Sequence, residues 1–443
     1  MARQKRRAVH AIPQDDSAHP CVRSLTGKAV AMAAPLRFHE FLLRNAPYLS
    51  AGVLLTFLSS FGQTFFISVF AGPIQAEFGL SHAGWGAIYM VGTTASALVM
   101  VAAGGLSDVL RVRQLGAFVL CGLAAACVLM ALNRNYWVLP LSVFALRFFG
   151  QGMSTHLAVV AMARWFVATR GRALSIAALG VSFGQALLPL IFVALMVRFD
   201  WRMLWLLSAA ICLLGAPLLL HLLSQERTPR ATSQDVSSTG MDNRHWSRGE
   251  VLRTPLFWLM VPSILGPAAF STAFFFHQLH FATTKGWSLL ELVAYFPFFT
   301  VMSVLAMLVA GWALDRWGAA RLMPLYQLPM VAAFAIFATT ASGIGMAAGF
   351  LAMALSVGAH AVLPSSFWAE AYGTRYIGAI KSLVMAVMVF GTAIGPGLTG
   401  ALIDLGLDFD AQGYGIAVYF LLTTLCIWVG VRGARQRLTP RAA

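Results

Sequence analysis

One arginine stands apart from the other basic residues of this chain. The sequence holds 31 Lys and Arg; most fall in short polar breaks, whereas Arg147 lies inside the apolar run 137–164. At about 1.5 Å per helical residue, it sits roughly 15 Å from the end of that run, near the middle of a bilayer. A cation at such depth marks a functional site by default, and its planar fork suits a carboxylate. On an α-helix Gln151 and Ser154 share its face, while His156 points the other way. Arg147 and Gln151 therefore read as an anion-binding pair facing a cavity. The alternatives are an arginine bonded to backbone carbonyls that holds helices together, or one that serves proton coupling indirectly.

Other groups qualify by type and spacing. His277 and His280, at i and i+3, share a face near the end of the run 256–281. They could bind an anion when protonated, carry protons, or pack as an aromatic-like layer. His360 follows Ser356 by one turn and is balanced between site and core, whereas His156 reads as core packing. Polar stripes recur at Thr56, Ser60 and Gln63, at Tyr89, Thr93 and Ser96, and at Ser175, Ser182 and Gln185. Gln63, Tyr89 and Gln185 are the candidates among these, since Ser and Thr more often bond to their own helix.

No Asp or Glu lies in the middle of an apolar run. Glu77, Asp200, Glu291 and Asp404 stand near one set of ends and Glu370 near the other. A site of one Arg with several His is neutral to positive and favours an anion over a cation. No carboxylate pair, Ser/His/Asp set or metal-ligand spacing appears within the runs, and the five Cys read as small core hydrophobes without disulfides. No G-x-x-x-x-G-K-[ST] phosphate loop is present. The expectation is a protein that is no enzyme and needs no metal or cofactor.

These groups must be positioned by helices in lipid. The 443 residues are 59% hydrophobic and 11% charged, with a mean hydropathy of +0.76, against about 25% charged in a soluble domain. Each of twelve apolar runs approaches the roughly 20 residues that a membrane-crossing helix needs: 47–70, 83–107, 114–133, 137–164, 172–197 and 203–223, then 256–281, 290–314, 320–341, 343–368, 379–403 and 412–431. The polar stretch Ser224–Arg253 separates the two sets and reads as a loop. This gives an all-α integral membrane fold with a basic cytoplasmic tail over 1–42, a six-helix bundle over 43–223, a cytoplasmic linker over 224–254, a second bundle over 255–431 and a tail over 432–443.

Positive loops stay cytoplasmic. With both termini inside, 26 of the 31 basic residues fall on that side, and Arg134, Arg198, Arg202 and Lys285 on the other. The net charge of +15 thus records topology; a nucleic-acid binder would need its basic residues on a solvated face. The first 40 residues lack the apolar core of a signal peptide. They read either as a disordered tail or as a stretch upstream of a true start at Met32.

The two sets of runs are duplicates. At an offset of 207, Gly104 and Asp108 fall on Gly311 and Asp315, and Gly79-Leu80-Ser81 falls on Gly286-Trp287-Ser288; at 211, Gly180 and Gly184 fall on Gly391 and Gly395. Six runs separate the copies, so both have the same orientation, as in the two halves of major facilitator transporters.

The motifs resemble that superfamily over about 43–431. Gly104-Gly105-Leu106-Ser107-Asp108-Val109-Leu110-Arg111-Val112-Arg113 is similar to its G-x-L-x-D-R-x-G-R-R loop, departing at Val109 and Arg111, and Gly311-Trp312-Ala313-Leu314-Asp315-Arg316-Trp317-Gly318 keeps the D-R-x-G core. Arg147-Phe148-Phe149-Gly150-Gln151-Gly152, Ala163-Arg164-Trp165-Phe166, Arg170-Gly171-Arg172-Ala173 and Glu370-Ala371-Tyr372-Gly373 look like the branch of oxalate/formate and monocarboxylate carriers. The antiporter pattern G-x-x-x-G-P is incomplete at Gly180 and Gly184, where Gln185 replaces the proline, and it fits Gly391-Gly395-Pro396 on another run, so helix packing is the plainer reading there.

The resemblance implies a secondary transporter, monomeric, in a bacterial inner membrane, moving a small organic anion by alternating access on a proton or counter-substrate gradient. It assigns Gly104, Asp108, Arg111, Arg113, Gly311, Asp315 and Arg316 to gating. It also implies a cavity lined by the first, fourth, seventh and tenth runs, with Arg147, Gln151, Gln63, His277, His280, His360, Gln185 and Tyr89 as candidate substrate contacts. A hydrophobic drug or metabolite exporter is the alternative, and a transporter-like receptor signalling through the linker a more distant one.

Overall fold

A backbone in hydrocarbon has no water to bond, so it must satisfy its own N–H and C=O groups, and the helix does this within one segment. The computed structural model describes residues 38–166, 169–224 and 239–438, and among these there is no strand. Among the described residues, ten helical segments are long and apolar enough to cross a membrane. Two more crossings are built from pieces, which completes two sets of six.

The first span runs Phe38–Leu58, tightens into a 3₁₀ turn at Ser59–Gly62, breaks at Gln63 and resumes through Thr64–Ile67, Ser68–Phe70 and Ala71–Phe78. The second, third, fifth and sixth are His82–Ala103, Val112–Leu132, Arg170–Met196 and Trp201–Leu222. The fourth joins Leu139–Leu146 and Thr155–Trp165 through a π-helical stretch, Arg147–Ser154. In the second half the seventh span is Pro255–Phe276, extended past a kink at His277 by Gln278–Thr284. The eighth joins Leu289–Val293 to Phe296–Trp317, and the ninth joins Ala319–Leu322 to Leu328–Thr339. Gly343–Tyr372, Ile377–Asp404 and Phe409–Arg435 complete the set. Contacts divide the chain into a short unit, Met1–Asn45, and a main unit, Ala46–Ala443; the main unit carries everything below. Met32 and most of the basic tail lie outside the described residues.

The repeat read in the sequence has a structural counterpart. Gly79 and Gly286 both adopt a left-handed conformation, at φ 62° and 72°, which glycine reaches without a Cβ penalty. Two residues later Ser81 and Ser288 cap the next helix, accepting from Gly84 N at 3.1 Å and Glu291 N at 3.2 Å. The same turn chemistry thus opens the second and eighth spans. The aligned glycines also have matching work: a Cβ on Gly180 would lie 2.2 Å from Val53 O of the first span, and one on its counterpart Gly391 2.8 Å from Leu265 O of the seventh. Their absent side chains let neighbouring backbones approach.

The first and fourth spans break side by side. A Cβ on Gly62 would meet Leu146 O at 2.1 Å, and one on Gly150 would meet the Gly62 Cα at 2.6 Å. Here two backbones touch at the 3₁₀ turn of one helix and the π-turn of the other, a form of helix irregularity that concentrates at functional sites.

The linker is not uniformly loose. Its first part, 225–238, lies outside the described residues, but the rest folds onto the second half. Met241, Trp246 and Val251 are buried among Tyr372, Trp368, Ile427 and Val431. Trp246 donates its Nε1–H to Met241 O at 3.1 Å and its backbone N–H to Tyr372 O at 3.0 Å, and Arg244 lies over its ring at 3.9 Å. Asp242 pairs with Arg437, whose hydrogen bond holds the Asp242 carboxyl below the usual carboxylate range. A polar sequence in which Met241, Trp246 and Val251 stand five residues apart shows neither helix nor strand periodicity, which hid this docking.

Two outcomes test these packings. Gly62→Ala should lower stability by about 1–3 kcal/mol, seen as a lower unfolding temperature, whereas Gly171→Ala, with nothing within 4 Å of the new methyl, should not. Trp246→Ala should free the docked linker, so that limited trypsin digestion cuts after Arg244 and Arg248 faster than in the parent.

Candidate functional site

The break in the first span leaves a carbonyl without its helical partner. Gln63 is extended (φ −87°, ψ 152°), so the helical ladder stops at Gly62. The Arg147 Nη1 donates to Gly62 O at 3.2 Å and to Thr64 Oγ1 at 3.4 Å. Thr64 in turn bonds the Tyr89 hydroxyl at 2.5 Å, and the guanidinium lies 5.4 Å from the Tyr89 ring centre. Arg147 is 2% exposed, and its Nε has no hydrogen-bond partner. Among the described residues no carboxylate reaches it; neutral oxygens and one ring face answer part of its charge.

This guanidinium borders a cavity of about 160 Å³ lined by Gln63, Thr64, Phe65, Arg147 and Gln151 on one side and by Ser271, Thr272, Phe275 and Thr392 on the other. Arg147 is the one charged residue in that lining. The walls come from the first, fourth, seventh and eleventh spans; Thr392 takes the place the resemblance gives to the tenth. Gln63 and Gln151 stand together with Arg147, and Tyr89 sits behind Thr64, fully buried. Ser154 is outside the lining; like Arg147 it turns to the first span, donating to Leu55 O at 2.8 Å.

The remaining candidates stand elsewhere. His360 stacks against Tyr326 at 5.9 Å between ring centres, and its neighbour Ser356 bonds Tyr326 O, so both face the ninth span. Gln185 is half-buried on the fifth span and is not in the lining. His277 is 3% exposed and makes a 2.9 Å bond to Pro396 O; it lies with His280 in the seam between halves, on the side of the bundle opposite the linker. A shallow hollow of about 370 Å³ on that same side, bordered by Trp287, Glu291, Ala294 and Tyr295, offers no converging polar centre, since Glu291 caps its own helix.

That opposite, far side is where the halves close. Ser68 donates to Phe275 O at 2.6 Å, and Gln278, fully buried, donates to Ser68 Oγ at 3.0 Å. Cβ atoms on Gly86 and Gly400 would lie 2.7 Å from Pro396 O and 2.5 Å from His82 O, so the second and eleventh spans touch backbone to backbone. Ser68 and Gln278 escaped the sequence reading; a Gln near an apolar run gives no sign that it bridges halves.

The two G-x-x-x-D loops lie on the linker side. The side chain of Asp108 is outside the described residues. Arg111, Arg113, Asp315 and Arg316 are exposed, and among the described residues none of the four joins an ion pair. Each loop is instead tied to its own half. Arg164 donates to Ser107 O at 2.5 Å, and His156 Nε2 lies 3.2 Å from Gly104 O and 3.3 Å from Ser107 Oγ. In the second half Glu370 accepts from Ala319 N at 3.0 Å, and Arg435 donates to Ala320 O at 2.8 Å. His156, read as core, thus supports a loop. Gly311 has open space around it, whereas a Cβ on Gly104 would lie 3.7 Å from His156 Nε2.

The fold matches solved transporters. A bacterial homologue of the human lysosomal transporter Spinster, in an inward-facing and unoccupied conformation, superposes with a TM-score of 0.68 at 16% identity, covering 90% of this chain and 99% of that one. The nucleoside transporter NupG superposes with a TM-score of 0.63 at 16% identity, covering 86% and 98%. No curated protein sequence matches the chain. The sequence profile described as Major Facilitator Superfamily matches residues 52–396. With the duplicated six-span halves and the two G-x-x-x-D loops, that match shows that this multi-pass membrane protein belongs to the Major Facilitator Superfamily of transporters.

Proposed function

We propose that the protein carries a small organic anion, a mono- or dicarboxylate, by alternating access, with Arg147 as the anion's anchor. The observation that carries this reading is a buried guanidinium on a cavity wall with no carboxylate partner among the described residues. A buried charge left without its counter-charge is costly, and a substrate carboxylate supplies two acceptors in the geometry the fork presents. Gln63, Gln151, Thr64 and Ser271 offer neutral hydrogen bonds around it. Tyr89 backs the site through Thr64, Gln185 and His360 stand outside its lining, and His277 and His280 belong to the far-side closure.

The linker side is the cytoplasmic side in this reading, supported by the 26 basic residues gathered there, in the inner membrane of a bacterium. Far-side contacts with exposed linker-side loops describe a conformer open toward the cytoplasm. Asp108 and Asp315, with Arg111, Arg113 and Arg316, act when the halves rock the other way and the loops meet. Transport draws on a proton or counter-substrate gradient, and one chain suffices. A hydrophobic drug exporter is the weaker reading, because about 160 Å³ falls short of the roughly 300–1,000 Å³ of sites for drug-sized ligands.

Uptake into proteoliposomes tests the anchor. Labelled mono- and dicarboxylates should be taken up, and Arg147→Ala should cut the initial rate at low substrate by roughly ten- to a hundredfold, the worth of a charged hydrogen-bonded pair. Arg147→Lys, which keeps charge but loses the fork, should fall between. If a neutral solute such as a nucleoside, the cargo of one structural neighbour, is carried equally by the parent and Arg147→Ala while carboxylates are not, the anion reading fails. Asp108→Asn and Asp315→Asn should lower the maximal rate with little change in the half-saturating concentration, because they act on the conformational change and not on the cavity.

A further inference from the structure

The far-side closure contains a group of titratable residues with no part in the cavity. Asp404, at the end of the eleventh span, accepts from the backbone N–H groups of His82 and Ala83 at 3.1 and 2.9 Å. It therefore caps the N-terminus of the second span from the other half of the molecule. That end of a helix carries free N–H groups and partial positive charge, so the carboxylate is held by both.

Three imidazoles surround this cap. The ring of His82, from the first half, lies 4.8 Å from that of His280 and 5.9 Å from that of His277, both from the second half. His277 Nε2 lies 2.9 Å from Pro396 O; a carbonyl only accepts, so that nitrogen is the donor and Nδ1 is the atom left to take a proton. Gln75 faces His82 Nδ1 at 3.5 Å. His280 Nε2 stands 3.5 Å from Asp408, whose side chain is 62% exposed, which opens a route for protons from the far side. Asp410 is neutralised by Lys285 at 2.8 Å. On the first half, Glu77 is already taken by Arg202 at 2.5 Å.

We propose that Asp404 and the histidines His82, His277 and His280 form a proton-binding latch that releases the far-side gate when the far compartment is acidified. In the closed seam the rings are neutral and pack together. A first proton is tolerated, since Asp404 and Asp408 stand beside the rings. A second proton puts like charges on opposite halves at ring contact, and on His82 it adds positive charge to a helix N-terminus. The protonated His82 also competes with the helix for Asp404. Separating the halves relieves all three conflicts, so the open state binds more protons than the closed one. A ligand shifts a conformational equilibrium by its difference in affinity between the states; here the ligand is the proton and the sign is opening with acid.

The inference rests on membership of the transporter family and not on the identity of the cargo, so its test uses no substrate. Spin labels at Ala76 and Leu405, exposed positions on the two far-side rims, are placed in full-length protein lacking its native cysteines and held in lipid nanodiscs. Between about pH 8 and pH 5 the long-distance population should grow, by up to about tenfold per pH unit for each extra proton bound by the open state. Asp404→Asn and His82→Lys should each show it already at pH 8. The double variant His82→Gln, His280→Gln should lose the pH response, and His82→Gln alone, the milder change should the double variant not fold, should weaken it. Distances that ignore pH in the parent, or a pH response kept in full by the glutamine variants, would overturn the proposal. Loss of carboxylate uptake in Arg147→Ala with the pH response intact would leave the latch standing and bear only on the cargo.

Discussion

A guanidinium in the middle of a membrane must find oxygen, and the break in the first span provides it. In a continuous helix the Gly62 carbonyl would be consumed by the ladder. The extended Gln63 releases it, and Arg147 takes it at 3.2 Å. The arrangement needs the first and fourth spans closer than side chains permit, which is why Gly62 faces Gly150 and why the fourth span opens into a π-turn at that level. The carbonyl and Thr64 are neutral, so the charge is solvated but not cancelled. The proposed anion would complete what the fold leaves unbalanced, binding without a permanent ion pair to displace.

The two ends of the bundle are held by different chemistry. The far side closes through small residues, backbone capping and buried polar contacts: Gly86 and Gly400 on the second and eleventh spans, Asp404 on the helix end, Ser68 and Gln278 across the seam. On the linker side each loop is anchored to its own half, by Arg164 and His156 in one case and by Glu370 and Arg435 in the other. Short-range contacts of the first kind either form fully or not at all, which suits a gate. Anchors of the second kind keep each half rigid while the halves move. The docked linker adds to the second half in the same way, with Trp246 held between Arg244 and the Tyr372 backbone.

Much of the architecture was legible beforehand. Twelve apolar runs, their six-plus-six grouping and the parallel repeat follow from hydropathy and from the glycine and aspartate offsets, and the turn pairs at Gly79–Ser81 and Gly286–Ser288 have the same geometry in both halves. Arg147 was also visible, because a cation in an apolar run has few innocent explanations. Gln151 follows from its place on the Arg147 face and Gln63 from the cavity-lining spans that the resemblance implies, and both stand at the cavity. What periodicity could not supply was direction. The spacing reads His156 as core, whereas its Nε2 meets the Gly104–Ser107 loop.

The sequence by itself determined the solvent, the span count, the duplication and the depth of the single buried arginine, because these depend on local composition and on where charge can avoid lipid. Only the tertiary structure decided what lies beside what. The bond of Arg147 to the freed Gly62 carbonyl joins residues 85 positions apart and the cap of Asp404 on His82 residues 322 apart, and the Thr392 wall, the docking of Trp246 and the meeting of His82 with His277 and His280 also join distant residues. Such contacts follow from how rigid halves pack, and packing is set by shape summed over many residues, which no single run of letters records.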